Sequence, residues 1–144
     1  MSVRQAKASW NGSLREGNGS MVFGSGENAY TGPFSHGSRF AEADGTNPEE
    51  LVGAALAGCF SMALAADLGR AGLEPSAIHT QASVHLEKVE GAQTITRIVL
   101  TTDAEVDGIE EAEFLEVADK TKDNCPVSRA LGGVQIELHA KLVG

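Results

Sequence analysis

The residues best suited to chemistry are the two cysteines of the chain, Cys59 and Cys125. A thiolate is a strong nucleophile, and two thiols can exchange electrons by forming a disulfide. Pro126 suits the first position of a helix, which would leave Cys125 near a helix N-terminus, where the dipole favours a thiolate. A nucleophile and a resolving thiol are therefore one interpretation, provided that the fold brings them together. Taken alone, Cys59 is typical of a small hydrophobe in a buried core.

Composition limits the surroundings in which these cysteines act. The chain has 144 residues, the size of one ordinary domain, and its hydrophobic and charged fractions of 42% and 22% are typical of globular proteins. A net charge of -9 argues against nucleic-acid binding and against an anionic membrane as partner. The first residues lack the apolar segment of a secretory signal, so we expect a cytoplasmic location with reduced thiols. A purely structural disulfide is therefore disfavoured.

Metal binding is also disfavoured by the sequence. Two cysteines are too few for a zinc ribbon. The histidines show no ligand spacing with either cysteine, and we interpret all four as surface or strand residues: His36, His79, His85 and His139. We expect neither a metal nor a cofactor.

A helix is predicted around Cys59. Asn47 suits the N-cap, Pro48 the first turn and Glu50 the third helical position, while Gly69 and Gly72 supply stop signals. No charged residue lies between Glu50 and Asp67, so we expect the helix to be buried on nearly all sides. The apolar run is shorter than a usual membrane span and rich in alanine and glycine, which argues against a transmembrane helix. The small residues favour close packing of other backbone against it.

The remaining segments alternate between strand and helix patterns. Residues 1–45 contain short apolar pieces separated by turn signals and predict short antiparallel strands. Residues 78–86 and 94–106 predict a long hairpin with a turn at Gly91, and residues 134–142 predict a final strand. Residues 109–123 predict an amphipathic helix, and a helical turn is expected from Pro126. This order indicates one α+β domain over 1–144, an antiparallel-rich sheet with a long buried central helix.

Two motifs carry a resemblance to a known family. The run from Asn47 to Leu64, NPEELVGAALAGCFSMAL, resembles the signature helix of the OsmC/Ohr peroxidases, and Asn124 to Ser128, NCPVS, resembles their second cysteine site. The likeness extends from about Trp10 to the final strand. The segment Ser38–Phe40 is similar to the OsmC branch rather than the Ohr branch. Leu56 is a departure, since many OsmC-type chains carry histidine there, and it affects the lining of the site rather than the redox pair.

The resemblance implies an antioxidant thiol peroxidase of the oxidative stress response. Cys59 would attack the peroxide and become a sulfenic acid, and Cys125 would condense with it to a disulfide. The implied substrates are organic hydroperoxides, with hydrogen peroxide a poorer one. The implied reductant is an external dithiol, either dihydrolipoamide or a lipoylated protein.

The resemblance also assigns roles to two charged residues. Burial in an apolar helix would raise the pKa of the Cys59 thiol, so a fixed cation is needed, and the family places Arg39 in that role. Glu49 matches the carboxylate that holds this arginine. Without the resemblance, Arg39 would be interpreted as an exposed loop residue and Glu49 as a favourable charge in the first helical turn.

Helix geometry adds a constraint on Glu49. Ten residues separate it from Cys59, which corresponds to about 15 Å along a helix axis, farther than a glutamate side chain reaches. Either Arg39 bridges this distance or Glu49 comes from a second subunit. We therefore hypothesise an obligate, intertwined homodimer with two sites at its interface, as the resemblance also implies.

Other functions explain the residues less well. A Ser/His/Asp hydrolase would need a Gly-x-Ser-x-Gly elbow, which is missing. A non-enzymatic redox sensor or small-ligand-binding module could use the same cysteines to switch conformation without turnover. A third alternative is a structural family member with an inert pair.

Overall fold

A computed structural model describes residues 1–144. The chain comprises two compact units, an N-terminal unit of residues Met1–Leu51 and a C-terminal unit of residues Val52–Gly144. The prediction of a single domain over 1–144 stays a prediction. The α+β class is confirmed, with two three-stranded sheets and a long central helix.

The N-terminal unit contains a small antiparallel sheet and one short helix. The strands pair in the order β1-β2-β3, as the turn signals of this region predict. The short helix α1 was not predicted. It begins after Ser35, whose side chain accepts the Ser38 N–H while the Ser38 side chain accepts the Ser35 N–H. The elements are β1 Lys7–Asn11, β2 Asn18–Phe23, a 3₁₀ helix Gly26–Asn28, β3 Tyr30–Phe34 and α1 His36–Phe40.

Helix α2, Pro48–Arg70, begins in the N-terminal unit and ends in the C-terminal unit. Its predicted N-cap is confirmed, because Asn47 Oδ1 accepts the Glu50 N–H at 2.8 Å. Its end is also where the sequence predicts it, since Gly72 follows with a φ of 79° and the Leu73 N–H returns to the Leu68 carbonyl. With 23 residues, α2 is long and apolar enough to span a membrane by length and composition. The expectation that this helix is too short for a membrane span was therefore wrong.

Only one face of α2 is buried within the single chain. Four large side chains at helical spacing are fully buried, namely Leu56, Phe60, Leu64 and Leu68. The opposite face is exposed and consists of Ala54, Ala55, Gly58 and Ala66 with the larger Met62 among them, and we call it the small-residue stripe. The expectation of burial on nearly all sides is therefore not met by one chain alone.

The second sheet has the order β4-β5-β6, with β5 in the centre. The predicted hairpin is confirmed, and its two-residue turn has a positive φ at both Glu90 (50°) and Gly91 (83°), as a type I′ turn requires. β6 pairs with β5 in parallel, because α3 and α4 carry the chain back along the sheet before β6 begins. The elements are β4 Pro75–Val89, β5 Ala92–Val106, α3 Glu111–Asn124, α4 Pro126–Ala130 and β6 Gln135–Leu142.

The core of the C-terminal unit lies between this sheet and its helices. The buried face of α2 joins Ile98, Leu100 and Ala104 from β5 and Phe114 and Ala118 from α3 in one cluster. Cys125 belongs to the same cluster, and Cys59 packs against it. Both cysteines thus lie in or against the apolar core of this unit.

Candidate active site

The fold brings Cys59 and Cys125 together. Cys59 lies midway along α2 and is half-buried, while Cys125 is only 1% exposed. Both are free cysteines, and Cys125 is close enough to Cys59 to raise the pKa of its thiol. Sequence spacing alone does not show whether the two cysteines meet, and in the fold they are neighbours within one chain.

Cys125 sits at the joint between α3 and α4. Its N–H donates to the Thr121 carbonyl at the end of α3, and its own carbonyl accepts the Arg129 N–H in α4. Pro126 occupies the first turn of α4, so the predicted placement of Cys125 at a helix start is confirmed. The Cys125 sulfur accepts the Ser128 N–H at 3.4 Å and lies 3.0 Å from the Ser128 hydroxyl.

The surroundings of Cys59 disfavour its ionised form. Burial raises the pKa of the Cys59 thiol, a hydrogen bond from the Val127 N–H lowers it, and the neighbouring Cys125 raises it. The net direction is upward, which leaves a smaller thiolate fraction at neutral pH than an exposed cysteine would have. Because its pKa is raised, the Cys59 thiol is a slow nucleophile at neutral pH unless a positive charge lies close to it.

A polar contact that sequence reasoning missed ties the two cysteine-bearing segments together. Asp67, two turns after Cys59 on α2, accepts a 2.6 Å hydrogen bond from the Thr121 hydroxyl, and it also pairs with Arg70. Thr121 is fully buried, and its carbonyl holds the backbone of Cys125. The one available signal was that Asp67 is the first charge after a long uncharged run.

Arg39 and Glu49 form an ion pair within the N-terminal unit. Arg39 lies on α1 and donates from Nη2 to Glu49 Oε1 at 2.6 Å, while its Nε lies 3.1 and 3.2 Å from the two carboxylate oxygens. Glu49 is 8% exposed, whereas the Arg39 side chain is 36% exposed. Such a fork-shaped contact fixes the guanidinium plane and leaves part of it open.

A cavity of about 330 Å³ lies beside this arginine in the N-terminal unit. Its walls are mostly aromatic or aliphatic, with a few polar side chains among them. The lining residues are Trp10, Leu14, Phe34, Ser35, His36, Arg39 and Phe40. A space of this kind suits a small apolar group attached to a polar one.

The predicted site residues thus form two pairs. Cys59 and Cys125 meet in the C-terminal unit, and Arg39 and Glu49 meet in the N-terminal unit. A shared catalytic role for the two pairs remains a prediction. The four histidines lie on α1, β4 and β6, and no group of three potential ligand side chains is positioned to hold a metal.

The influence of Cys125 on Cys59 can be measured directly. We expect alkylation of Cys59 by iodoacetamide to rise with pH, because only the thiolate reacts. Replacing Cys125 with alanine should move the midpoint of this profile to lower pH, since the neighbouring thiol contributes to the raised pKa. Mass spectrometry of the Cys59 peptide gives the rate, and an unchanged or higher midpoint in C125A would contradict the expected coupling.

Comparison with known proteins agrees with these features. Residues 41–139 match the family model of the OsmC-like protein. Peroxiredoxin OsmC of Escherichia coli is 42% identical over 128 residues, which is 89% of each chain. An organic hydroperoxide resistance protein of Xanthomonas axonopodis pv. citri is 34% identical over 94 residues, covering 65% of this chain and 64% of that protein. The crystal structure of an OsmC like protein from Mycoplasma pneumoniae shares the fold, with a TM-score of 0.76 at 15% identity and 99% coverage of both chains. This chain therefore belongs to the OsmC-like family.

Proposed function

We propose that this protein is a thiol-dependent peroxidase that reduces organic hydroperoxides, with Cys59 as the nucleophile and Cys125 as the resolving thiol. The observation that carries the proposal is that two free thiols are neighbours in the fold: Cys125 raises the pKa of the Cys59 thiol, and the Ser128 N–H donates to the Cys125 sulfur. The relatives named peroxiredoxin and organic hydroperoxide resistance protein support the same activity.

The proposed reaction has three steps. The Cys59 thiolate attacks a peroxide oxygen, the O–O bond breaks, and the other oxygen takes a proton and leaves as an alcohol. Cys59 is then a sulfenic acid, with which Cys125 condenses to a disulfide and water. An external dithiol, for which we propose dihydrolipoamide or a lipoylated protein, reduces the disulfide by thiol exchange.

Arg39 is proposed to supply the charge that Cys59 lacks. The raised pKa of Cys59 calls for a permanent cation, and a guanidinium stays protonated at every working pH. The bonds to Glu49 orient this guanidinium without covering it. The remaining guanidinium N–H groups suit the oxygens of a peroxide.

The cavity beside Arg39 supports organic rather than inorganic peroxides. Hydrogen peroxide has no apolar part, whereas an alkyl or aryl hydroperoxide gains from burial against Trp10, Phe34 and Phe40. We therefore propose that hydrogen peroxide is the poorer substrate.

A homodimer is proposed on the basis of helix α2. Its small-residue stripe leaves an apolar helix face uncovered in the single chain, and the shape of a Gly/Ala surface lets a second helix approach closely. We propose that a second copy of this chain covers the stripe and that a membrane does not. We propose that, in this dimer, the Arg39–Glu49 pair that acts on a given Cys59 belongs to one of the two subunits.

Turnover separates an enzyme from a redox sensor. With cumene hydroperoxide and dihydrolipoamide, the wild-type protein should consume many equivalents of peroxide, and hydrogen peroxide should disappear more slowly. C59S should be inactive, whereas C125S should complete one round and accumulate over-oxidised Cys59, because the sulfenic acid has no resolving thiol. Consumption of a single equivalent by the wild type would favour the sensor, and full turnover by C59S would refute the choice of nucleophile.

Removing Arg39 should slow the first chemical step. We expect R39A to lower the rate of Cys59 oxidation by about tenfold to a hundredfold, the usual effect of losing a charged hydrogen-bond donor. A matched control is R97A, since Arg97 is similarly exposed and also paired with a glutamate. Stopped-flow kinetics with cumene hydroperoxide should show a loss in R39A only, and equal rates in both variants would contradict the role of Arg39.

The dimer can be tested with two glycine substitutions. Neither Gly58 nor Gly133 has an atom within 4 Å of the position of an added Cβ, so a side chain can be started at either without a clash in the single chain. Gly58 lies on the small-residue stripe, whereas Gly133 does not. Sedimentation should give a dimer for the wild type and G133K and a monomer for G58K. A monomeric wild type, a dimeric G58K or recovery only in membranes would each contradict the proposal.

A further inference from the structure

The side chain of Ser128 has an unusual partner for a buried hydroxyl. Ser128 is 7% exposed, and its hydroxyl makes a single hydrogen bond, 3.0 Å long, with the sulfur of Cys125. The N–H of the same serine donates to the same sulfur at 3.4 Å. One residue thus places two polar groups on the resolving thiol.

Other hydroxyls in helices of this unit behave differently. Ser61 donates to the Ala57 carbonyl, and the Thr121 hydroxyl lies 2.9 Å from the Val117 carbonyl as well as bonding Asp67, so both are near the carbonyl four positions earlier. Ser128 does not bond to Asn124 in this way, and its hydroxyl faces the sulfur instead. A neutral thiol is a weak acceptor, whereas a thiolate accepts strongly, so this arrangement is most favourable when Cys125 is ionised.

The residue before Ser128, Val127, interacts with the other cysteine, Cys59. The Val127 backbone lowers the pKa of Cys59, and the Ser128 N–H donates to the Cys125 sulfur. Because Cys125 is almost fully buried, water cannot solvate its thiolate, and protein donors must do so. The Ser128 hydroxyl is 3.0 Å from the sulfur, and once Cys125 is ionised the hydroxyl is the only one of the two groups that has a proton to donate.

We infer that Ser128 is a catalytic residue of the resolving step, in which its hydroxyl and N–H stabilise the Cys125 thiolate. The inference rests on the proposed function. The Cys125 sulfur forms a bond to the Cys59 sulfur as the S–O bond of the sulfenic acid breaks. The departing oxygen takes the proton that Cys125 has lost and leaves as water, and Ser128 keeps its own proton throughout.

Rapid-quench mass spectrometry with excess cumene hydroperoxide can resolve the two steps. S128A should leave the rate of Cys59 sulfenic acid formation within about twofold of the wild type and slow the Cys59–Cys125 disulfide about tenfold, as expected for losing a hydrogen bond to a charged group. Sulfinic acid on Cys59 should increase, because the sulfenic acid persists. S128T should restore the disulfide rate, and S61A, which removes a hydroxyl that contacts no sulfur, should leave it unchanged.

A second measurement does not depend on peroxide. C59S leaves Cys125 as the only thiol of the chain. The substitution also removes the neighbouring thiol, whose own ionisation would complicate the titration. The ultraviolet absorbance of the thiolate gives the pH midpoint of its formation. Adding S128A should raise this midpoint by about one pH unit, because the thiolate loses a donor.

The two measurements distinguish the two ideas. An unchanged midpoint together with an unchanged disulfide rate in S128A would overturn the role of Ser128 even if the enzyme turns over peroxide. A raised midpoint in a protein that consumes no peroxide would uphold the stabilisation of the thiolate by Ser128 and refute the proposed function instead.

Discussion

Two thiols held side by side in a packed core set the main physical constraint on this protein. A sulfur nucleophile must be ionised, yet burial removes the water that would stabilise its charge. Cys59 illustrates the conflict, because burial raises its pKa and only one backbone donor opposes that effect. Consequently a thiolate in this pair needs hydrogen-bond donors and positive charge from other parts of the fold.

Helix α2 contributes both the apolar packing around Cys59 and several polar contacts. Its four fully buried side chains, Leu56, Phe60, Leu64 and Leu68, hold Cys59 in register against the core of the C-terminal unit. Its first turn supplies Glu49, which orients Arg39. Its last turns supply Asp67, which binds Thr121 and so supports the joint at which Cys125 lies. One element therefore takes part both in the apolar core and in these polar contacts.

Local signals explain which features could be predicted from the sequence. The start of α2, the Glu90–Gly91 hairpin turn and the place of Cys125 before a helix each depend on a few adjacent residues with strong preferences. Helix α1 escaped prediction because it has five residues and its cap uses Ser38 where glutamate or glutamine is the usual signal. The parallel pairing of β6 depends on where two helices return the chain, which strand periodicity does not encode.

The sequence by itself determined the chemical inventory: two cysteines, one of them in a long uncharged helix and the other before a proline, together with an arginine and a glutamate of the OsmC-like pattern. Only the tertiary structure decided that the two cysteines are neighbours, that the Ser128 N–H donates to Cys125, and that Asp67 binds Thr121. The physical reason is that hydrogen bonds and burial depend on distances between residues far apart in the chain. The charge state of a thiol follows from those distances, and composition and spacing do not specify them.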